Sequence, residues 1–237
     1  MSAAAAIARA ACGGLAVRIG AADALLRSAG TLWLAAARTL VAADLHLEKG
    51  SAYASKGQML PPYDTADTLS RLAGEIDALD PALIVLLGDS FHDGAGEGRM
   101  AESDSTRIAA LARGRRLVWV VGNHDADGPE RLPGDVVEEI ALEGLVFRHE
   151  PLSGVQAGEA AGHLHPCAKV SGRGRSVRRR CFVTDGARIV LPAFGAYAGG
   201  LNVRDRAFAG LFARTPLAVV LGPERAHPIA WELLVRG

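Results

Sequence analysis

The stretch that decides the fold is "LVWVVGNHD", residues 117–125. Its first five residues are apolar and predict a strand that is buried in a sheet. The next four are a glycine, an amide, an imidazole and a carboxylate, and they stand where that strand leaves the core. Ligands of open α/β sheets bind at the carboxyl ends of strands. The stretch therefore predicts an α/β protein with a site at the end of this strand.

The surrounding segments alternate between strands and helices in the first half of the chain. Residues 31–46 predict a strand pair and residues 81–89 a buried strand. Residues 64–79 carry leucine and isoleucine at spacings of three and four, which predicts a helix with one apolar face. The second half contains mostly short strands, including a hairpin over residues 181–192. This order predicts mixed sheets with helices packed outside them.

No linker rich in proline, glycine or serine divides the chain, so we expect one domain over residues 1–237, with residues 1–13 flexible. The formal net charge is zero, so the whole-chain charge does not favour nucleic acid or a membrane. The three cysteines lack CxxC spacing, which favours a reducing compartment. No run of 18 apolar residues is present, and the N-terminus lacks a basic leader. We expect a cytoplasmic protein without a membrane segment.

Several other predicted strands also end in polar groups, and six of the seven histidines lie in or beside these ends. The ends are Asp44-Leu45-His46, Gly88-Asp89, Gly122-Asn123-His124-Asp125, His149 and Gly162-His163-Leu164-His165. Residues two apart point the same way in an extended chain, so Asp44 with His46 and His163 with His165 could chelate. Nitrogen and oxygen ligands without thiolate favour manganese, iron or zinc. The set suits two ions with one bridging carboxylate, a known device for hydrolysing phosphate esters.

The ordered blocks DxH, GD, GNHD, H and GHxH resemble the calcineurin-like metallophosphoesterase superfamily. The resemblance implies a four-layer αββα sandwich of two mixed sheets flanked by helices. It also implies a two-metal phosphoesterase in which a hydroxide bridging the metals attacks the phosphate. By position, one metal would be held by Asp44, His46 and His165, the other by Asn123, His149 and His163, and Asp89 would bridge both. His124 would be the general acid, oriented by Asp125.

Three further stretches narrow the resemblance: "VAADLHLEKG" (41–50), "GDSFHDG" (88–94) and "RCFVTDGARIVLPAFGAYAGGLNV" (180–203). Together they resemble the bacterial ligase-associated DNA damage response endonucleases. That family implies a phosphodiesterase or endonuclease with two Mn²⁺ ions, acting on single-stranded or damaged DNA. It also implies functional association with an ATP-dependent DNA ligase and a helicase. Glu48 departs from the small residues usual after DLH. His92 would lie near the substrate phosphate; the alternative is a loop histidine bonded to the backbone.

A basic segment follows the last histidine block. Residues 170–180 predict a loop, and its basic part, residues 173–180, includes Arg178, Arg179 and Arg180. These arginines could bind phosphates of a nucleic acid, or they could lie on a solvated hairpin loop. Arg180 could instead pair with an acidic residue.

Two other functions stay open from the sequence. One is a phosphoesterase that acts on a small nucleotide or a pyrophosphate-containing substrate. The other is a non-catalytic scaffold that kept the fold, but such a protein is expected to lose His124 or several ligands, and all of them are present.

Overall fold

Two β-sheets packed face to face form the centre of the protein, in a computed structural model that describes residues 7–172 and 174–237. The first sheet has eight strands that lie side by side in chain order. They are β1 (Ala8–Arg9), β2 (Leu15–Ile19), β3 (Ala22–Leu26), β4 (Leu32–Leu34), β5 (Thr39–Ala43), β6 (Leu83–Leu87), β7 (Arg116–Val120) and β8 (Asp135–Val137).

The strands β5 to β8 run parallel, whereas β1 to β5 are joined antiparallel. In the parallel half the register pairs Ala43 with Leu87, and Leu87 with Val120. These three residues are the last of their strands, so the polar residues that follow them emerge at one level. The all-apolar sequences of β5 and β6 fit strands covered on both faces.

Four α-helices lie between β5 and β7 in sequence: α1 (Lys49–Ala54), α2 (Asp64–Leu79), α3 (Gly96–Arg99) and α4 (Glu102–Leu111). The apolar face of α2 is buried at Leu69, Leu72 and Ile76, as the spacing predicted. These residues pack with Ile108 of α4 against the outer face of the first sheet. Burying such side chains stabilises the fold by about 1.5–3 kcal/mol each.

The second sheet is formed by the later strands: β9 (Glu139–Leu142), β10 (Leu145–Arg148), β11 (Glu159–Ala161), β12 (Pro166–Gly172), β13 (Arg175–Thr184), β14 (Arg188–Val190), β15 (Leu201–Asn202), β16 (Leu217–Leu221) and β17 (Ala226–Ala230). Parallel pairs join β10 to β11 and β11 to β14. The predicted hairpin is confirmed, with β13 and β14 joined by a turn at residues 185–187.

Apolar side chains from the inner faces of both sheets form one core, which confirms the predicted sandwich of two mixed sheets with helices outside. The outer face of the second sheet is covered differently. Val203, Phe208, Leu211 and Leu234 pack on it, from loops and two 3₁₀ helices, Arg206–Phe208 and Trp231–Leu233. Of the α-helices, α2 and α4 pack on the outer face of the first sheet.

Two segments differ from the sequence-based expectation. The predicted loop at 170–180 is part of a long hairpin in which β12 pairs with β13 as far as Gly172 and Arg175; Arg173 lies outside the described residues. Backbone hydrogen bonds of the ladder do not depend on side-chain polarity, so a basic segment can form it. Residues 1–13 were expected to be flexible, but Ala8–Arg9 pair with β2. For residues 1–6 that expectation lies outside the described residues.

Candidate metal centre

The seven predicted ligands lie together at one edge of the sandwich. Each follows the carboxyl end of a strand: Asp44 and His46 follow β5, Asp89 follows β6, Asn123 follows β7, His149 follows β10, and His163 and His165 follow β11. The parallel register of β5, β6 and β7 brings the first three strand ends together. The parallel pairing of β10 with β11 does the same in the second sheet.

The ligand atoms form two groups that share one carboxylate. The first group is Asp44, His46, Asp89 and His165, and the second is Asp89, His149 and His163. In the first, His46 Nε2 lies 3.1 Å from His165 Nε2. In the second, His163 Nδ1 lies 3.1 Å from His149 Nε2. Asn123 Oδ1 joins the second group at 2.9 Å from His149 Nε2.

These spacings fit ions at the centre of each group. Two ligand atoms that each lie about 2.1 Å from one ion, at angles of roughly 90–110°, are about 3.0–3.4 Å apart. His165 Nε2 lies 3.4 Å from Asp44 Oδ1, and His149 Nε2 lies 3.4 Å from Asp89 Oδ1. The residues therefore fit two divalent ions, with Asp89 placed to touch both.

The burial of two charged ligands also indicates a metal site. The side chains of Asp44 and Asp89 are 0% and 3% exposed, and their ion-pair neighbours are histidines only. Among the described residues, neither carboxylate forms an ion pair with a lysine or arginine. A buried carboxylate without a counter-charge is costly, and coordination of a metal ion removes that cost.

The backbone at the ligands is unusual. Asp44, His46, Asp89, His163 and His165 all have positive φ, between 43° and 66°. That region is uncommon for residues with a side chain, and such residues concentrate at functional sites. The expected reason for chelation by Asp44 with His46 and His163 with His165, an extended chain, is therefore wrong. Asp44 and His46 converge on the first group although the chain is in the left-handed region at both, whereas His163 and His165 contribute to different groups.

Buried imidazoles of the centre are held neutral, which metal binding requires. Burial, reinforced by neighbouring histidines, lowers the pKa of His46 to about 2. Burial also lowers the pKa of His149 to about 4, although Asp44 opposes this change. Neutral imidazole nitrogens can therefore bind a cation at neutral pH.

The metal-free protein is expected to lose stability as the pH falls below 6.5. The unfolded chain binds protons at ordinary histidine pKa values near 6.5, whereas folded His46 and His149 bind them only near about 2 and about 4. Asp125 acts oppositely, because burial raises its pKa to about 6, but it is one group against two. The unfolding midpoint should fall by at least about 3 °C between pH 6.5 and pH 5. An unchanged or rising midpoint would contradict the buried, neutral histidines.

Glycines pack directly against the ligands. A Cβ added to Gly122 would lie 2.2 Å from Asp89 Oδ1 and 2.3 Å from its backbone nitrogen. The close approach to Asp89 therefore excludes a side chain at Gly122. At Gly88, where φ is 71°, an added Cβ would lie 2.1 Å from His149 Nδ1.

Replacing Gly122 with alanine is expected to weaken metal binding by at least about tenfold, because Asp89 must move. Metal titration by calorimetry would measure the change. The control is Gly74→Ala in α2, where an added Cβ meets nothing within 4 Å. That variant should keep metal affinity and gain about 0.5–1 kcal/mol in free energy of unfolding. Unchanged metal affinity in Gly122→Ala would show that Asp89 is free to shift.

His124 lies at the rim of the centre, with 43% of its side chain exposed and Nε2 3.9 Å from Asp89 Oδ2. Its Nδ1 is 2.9 Å from the carbonyl oxygen of His92, which therefore accepts a hydrogen bond from the ring. The rings of His92 and His124 stack with centroids 5.7 Å apart. His92 is itself half-buried, and burial lowers its pKa.

The expected contact between Asp125 and His124 is not formed. The Asp125 carboxylate is buried and accepts hydrogen bonds from the backbone N–H groups of Phe91 and Gly122, at 3.1 and 3.0 Å. It turns back into the loop after β6 because those donors would otherwise be unpaired in the core. Asp125 therefore ties together the loops that carry Asp89 and Asn123, and the His92 carbonyl orients His124.

The sequence did not single out two residues beside His92. The Tyr53 ring lies 5.7 Å from the His92 ring, and Lys49 Nζ lies 5.9 Å from the Tyr53 ring. Both belong to α1, which directly follows the first ligand block. Glu48, at the start of α1, is buried and accepts hydrogen bonds from Thr65 and Ser51. Its carboxylate therefore anchors α1 to α2.

The three arginines predicted to bind substrate lie on β13. Arg180 donates to the carbonyl oxygens of Gly195, Ala196 and Ala198, so the expected alternative of an acidic partner is wrong. Arg178 donates to the carbonyl oxygen of Gly200, and exposed Arg179 donates to the Arg178 carbonyl, its one hydrogen-bond partner among the described residues.

A cavity of about 820 Å³ lies away from the metal centre, beside Val17, Trp33 and Gly186. It contains no predicted ligand. Within residues 7–172 and 174–237, no helix is long and apolar enough to cross a membrane.

Comparison with known proteins gives a family and a solved structure. The sequence profile of the calcineurin-like phosphoesterases matches residues 37–181, a range that contains all seven predicted ligands. The Pseudomonas putida nuclease MPE, known from its crystal structure, is 25% identical, with a TM-score of 0.69 over 91% of this chain and 100% of that one. Yfce, a phosphoesterase from E. coli, is 16% identical over 81% and 98%, but its TM-score of 0.38 supports no argument. No curated protein sequence matches significantly.

Proposed function

Because the chain belongs to the calcineurin-like phosphoesterase family, we propose that it is a two-metal phosphodiesterase that cuts DNA as an endonuclease. The observation that carries the proposal is the sharing of the buried Asp89 between two groups of ligands. A single ion would engage only one of the two groups and leave the ligand atoms of the other unused. The family itself establishes only a metal-dependent hydrolase of phosphate esters.

We assign Asp44, His46 and His165 to one ion, and Asn123, His149 and His163 to the other, with Asp89 bridging. Asn123 is a neutral ligand, which avoids adding negative charge where a phosphate must bind. The nitrogen and oxygen donors suit Mn²⁺, with iron or zinc as alternatives. Two such ions supply an activated water and stabilise negative charge on the phosphoryl oxygens.

We assign His124 as the general acid. The His92 carbonyl fixes the ring through Nδ1, so that Nε2 is directed toward the centre, 3.9 Å from Asp89 Oδ2. A protonated His124 can then donate the Nε2 proton to the oxygen that leaves the phosphorus. Asp125 acts only through the loop that it holds, so we assign it a positioning role.

His92 lies between His124 and Tyr53, at the side of the centre that is open to solvent. Its Nδ1 is buried and without a partner among the described residues, which leaves Nε2 for a ligand. We assign His92 to contact with the substrate phosphate.

The DNA substrate is supported by the nuclease, which covers nearly the whole chain with the same fold. We further propose that the substrate is single-stranded or damaged DNA. The protein would act in the cytoplasm, in a repair pathway that it shares with an ATP-dependent DNA ligase and a helicase. Tyr53 and Lys49 beside His92 offer a ring and a charge that suit a base and a backbone phosphate.

The test is hydrolysis by protein stripped of metal and then supplied with Mn²⁺. Four substrates should be compared: single-stranded DNA, duplex DNA, bis(p-nitrophenyl) phosphate and p-nitrophenyl phosphate. We expect Mn²⁺-dependent cleavage of the single-stranded DNA and of the model diester. Hydrolysis of the small ester without cleavage of either DNA would contradict the nuclease assignment and favour a small nucleotide or pyrophosphate-containing substrate.

A further inference from the structure

Four arginines surround a cavity of about 680 Å³ beside the metal centre. We call this group the arginine pocket; it consists of Arg71, Arg178, Arg179 and Arg180. The other lining residues are Ser28, Ala29, Cys167, Leu221, Gly222 and Pro223.

The arginine pocket opens on the same edge of the sandwich as the metal centre. In the first sheet, β3, β4 and β5 are successively antiparallel, so β3 and its turn at Ser28 and Ala29 end where β5 ends. In the second sheet, β16 is antiparallel to β13, which is antiparallel to β14, and β14 is parallel to β11. The turn after Leu221 therefore lies at the edge where β11 delivers its two histidines.

Among the described residues, no carboxylate lines the arginine pocket or forms an ion pair with its members. The residues that line the cavity include no aspartate or glutamate. Within the described residues, none of the four arginines forms an ion pair, whereas Arg27 pairs with Glu75 and Arg188 pairs with Glu159. Burial, and then the charge of Arg180, lower the pKa of Arg71, whereas Glu75 and Asp67 oppose this change. Partly buried cations that lack carboxylates attract an anion.

Hydrogen bonds to backbone carbonyl oxygens connect the arginine pocket to the metal centre. Arg71 Nη1 and Arg180 Nη1 donate to the Phe194 carbonyl, at 2.7 and 3.3 Å, and Arg180 Nη2 donates to Gly195 at 2.7 Å. Gly195 in turn donates its N–H to the Asp44 carbonyl at 3.1 Å. Each guanidinium carries five N–H donors, so these bonds leave others for a ligand. One loop thus fixes the distance between the arginine pocket and the first metal site.

We propose that the arginine pocket binds a second phosphate of the same nucleic-acid strand whose scissile phosphate lies at the metal centre. This inference rests on the proposed function. Guanidinium groups recognise phosphate oxygens through paired N–H donors. A contact at a distance from the reacting phosphate favours a polymer over a small diester without taking part in the chemistry. Arg178 and Arg179 are both exposed and each has one carbonyl partner, but Arg178 is tied to the distant Gly200 carbonyl, whereas Arg179 bonds the carbonyl of its own neighbour, so Arg179 is the side chain most free to make it.

The test compares Arg179→Gln with Arg214→Gln, an exposed arginine at the 820 Å³ cavity. Arg179→Gln should raise the KM for a single-stranded oligonucleotide by roughly 3–10-fold, and lower the slope of log KM against log salt by about 0.7. Its kinetics on bis(p-nitrophenyl) phosphate should stay unchanged, and Arg179→Lys should restore most of the salt slope. Arg214→Gln should change neither the KM nor the salt slope for the oligonucleotide. An unchanged oligonucleotide KM, or equal changes on both substrates, would overturn the proposal.

Binding of a labelled oligonucleotide to the metal-free protein separates the two proposals. If the wild type binds the oligonucleotide through Arg179 but hydrolyses nothing with Mn²⁺, the proposed function fails and the phosphate contact stands. If hydrolysis proceeds and Arg179→Gln binds as tightly as wild type, only the inference about the arginine pocket fails.

If the ligand of the arginine pocket is a free phosphate and not a phosphate of the strand, a different result is expected. Millimolar inorganic phosphate would then raise the unfolding midpoint of the wild type but not of Arg179→Gln, with the oligonucleotide salt slope unchanged, and that outcome also overturns the proposal.

Discussion

Replacing Asp89 with alanine is expected to abolish binding of both metal ions and to reduce hydrolysis by at least about 10³-fold. Loss of one charge-stabilising donor costs an enzyme about 10²–10³-fold, and Asp89 is expected to hold two charges in place. Its carboxylate lies 3.4 Å from His149 Nε2 and 3.9 Å from His46 Nε2, so its removal takes a ligand from each group. Calorimetric titration with Mn²⁺ would give the number of ions bound per chain.

The matched control for this variant is Asp127→Ala, an exposed aspartate in the loop after β7. It should bind two ions and keep full activity. If Asp89→Ala retained one tightly bound ion, Asp89 would belong to a single site. The assignment of Asp89 as the bridge would then be wrong, even if activity were lost.

The second large effect is expected from His124→Ala, which should keep both ions and reduce turnover of DNA by about 10²–10⁴-fold. The backbone N–H of His124 donates to Asp89 Oδ1 at 3.0 Å, and alanine keeps that bond. Only the ring, held by the His92 carbonyl, is lost. The metal content of the variant and the wild type tests whether both ions are kept, and their single-turnover rates on DNA measure the loss of turnover.

The leaving group distinguishes a general acid from a structural role. p-Nitrophenolate needs no proton to leave, so His124→Ala should lose far less activity on bis(p-nitrophenyl) phosphate than on DNA. His227→Ala, at an exposed histidine of β17, is the control and should behave as the wild type on both. Equal losses on the two substrates, or loss of metal, would contradict the assigned role of His124.

Much of the fold and of the ligand set could be predicted from the sequence because the strands end in their polar groups. Buried strands such as 83–87 are continuous apolar runs, and parallel pairing aligns their ends, as Ala43, Leu87 and Val120 show. The order of the blocks then allowed Asp44 and His165, which are far apart in sequence, to be assigned to one site. Their ligand atoms lie 3.4 Å apart.

Side-chain directions and partners were not predictable, because they depend on contacts between distant segments. Asp125 follows His124 directly, yet its carboxylate is directed to the N–H of Phe91, 34 positions earlier. The positive φ of Asp44 and His46 replaces the extended chain that spacing suggested. The basic segment forms a hairpin because β12 is available to pair with it, and Arg180 binds carbonyl oxygens of a loop that its own sequence cannot reveal.

The most direct test of the two-metal centre is anomalous diffraction at the manganese edge from crystals of the Mn²⁺-loaded protein. We expect two peaks per chain, one among Asp44, His46 and His165 and the other among Asn123, His149 and His163, with the Asp89 carboxylate between them. A single peak, or peaks away from Asp89, would contradict the two-metal assignment.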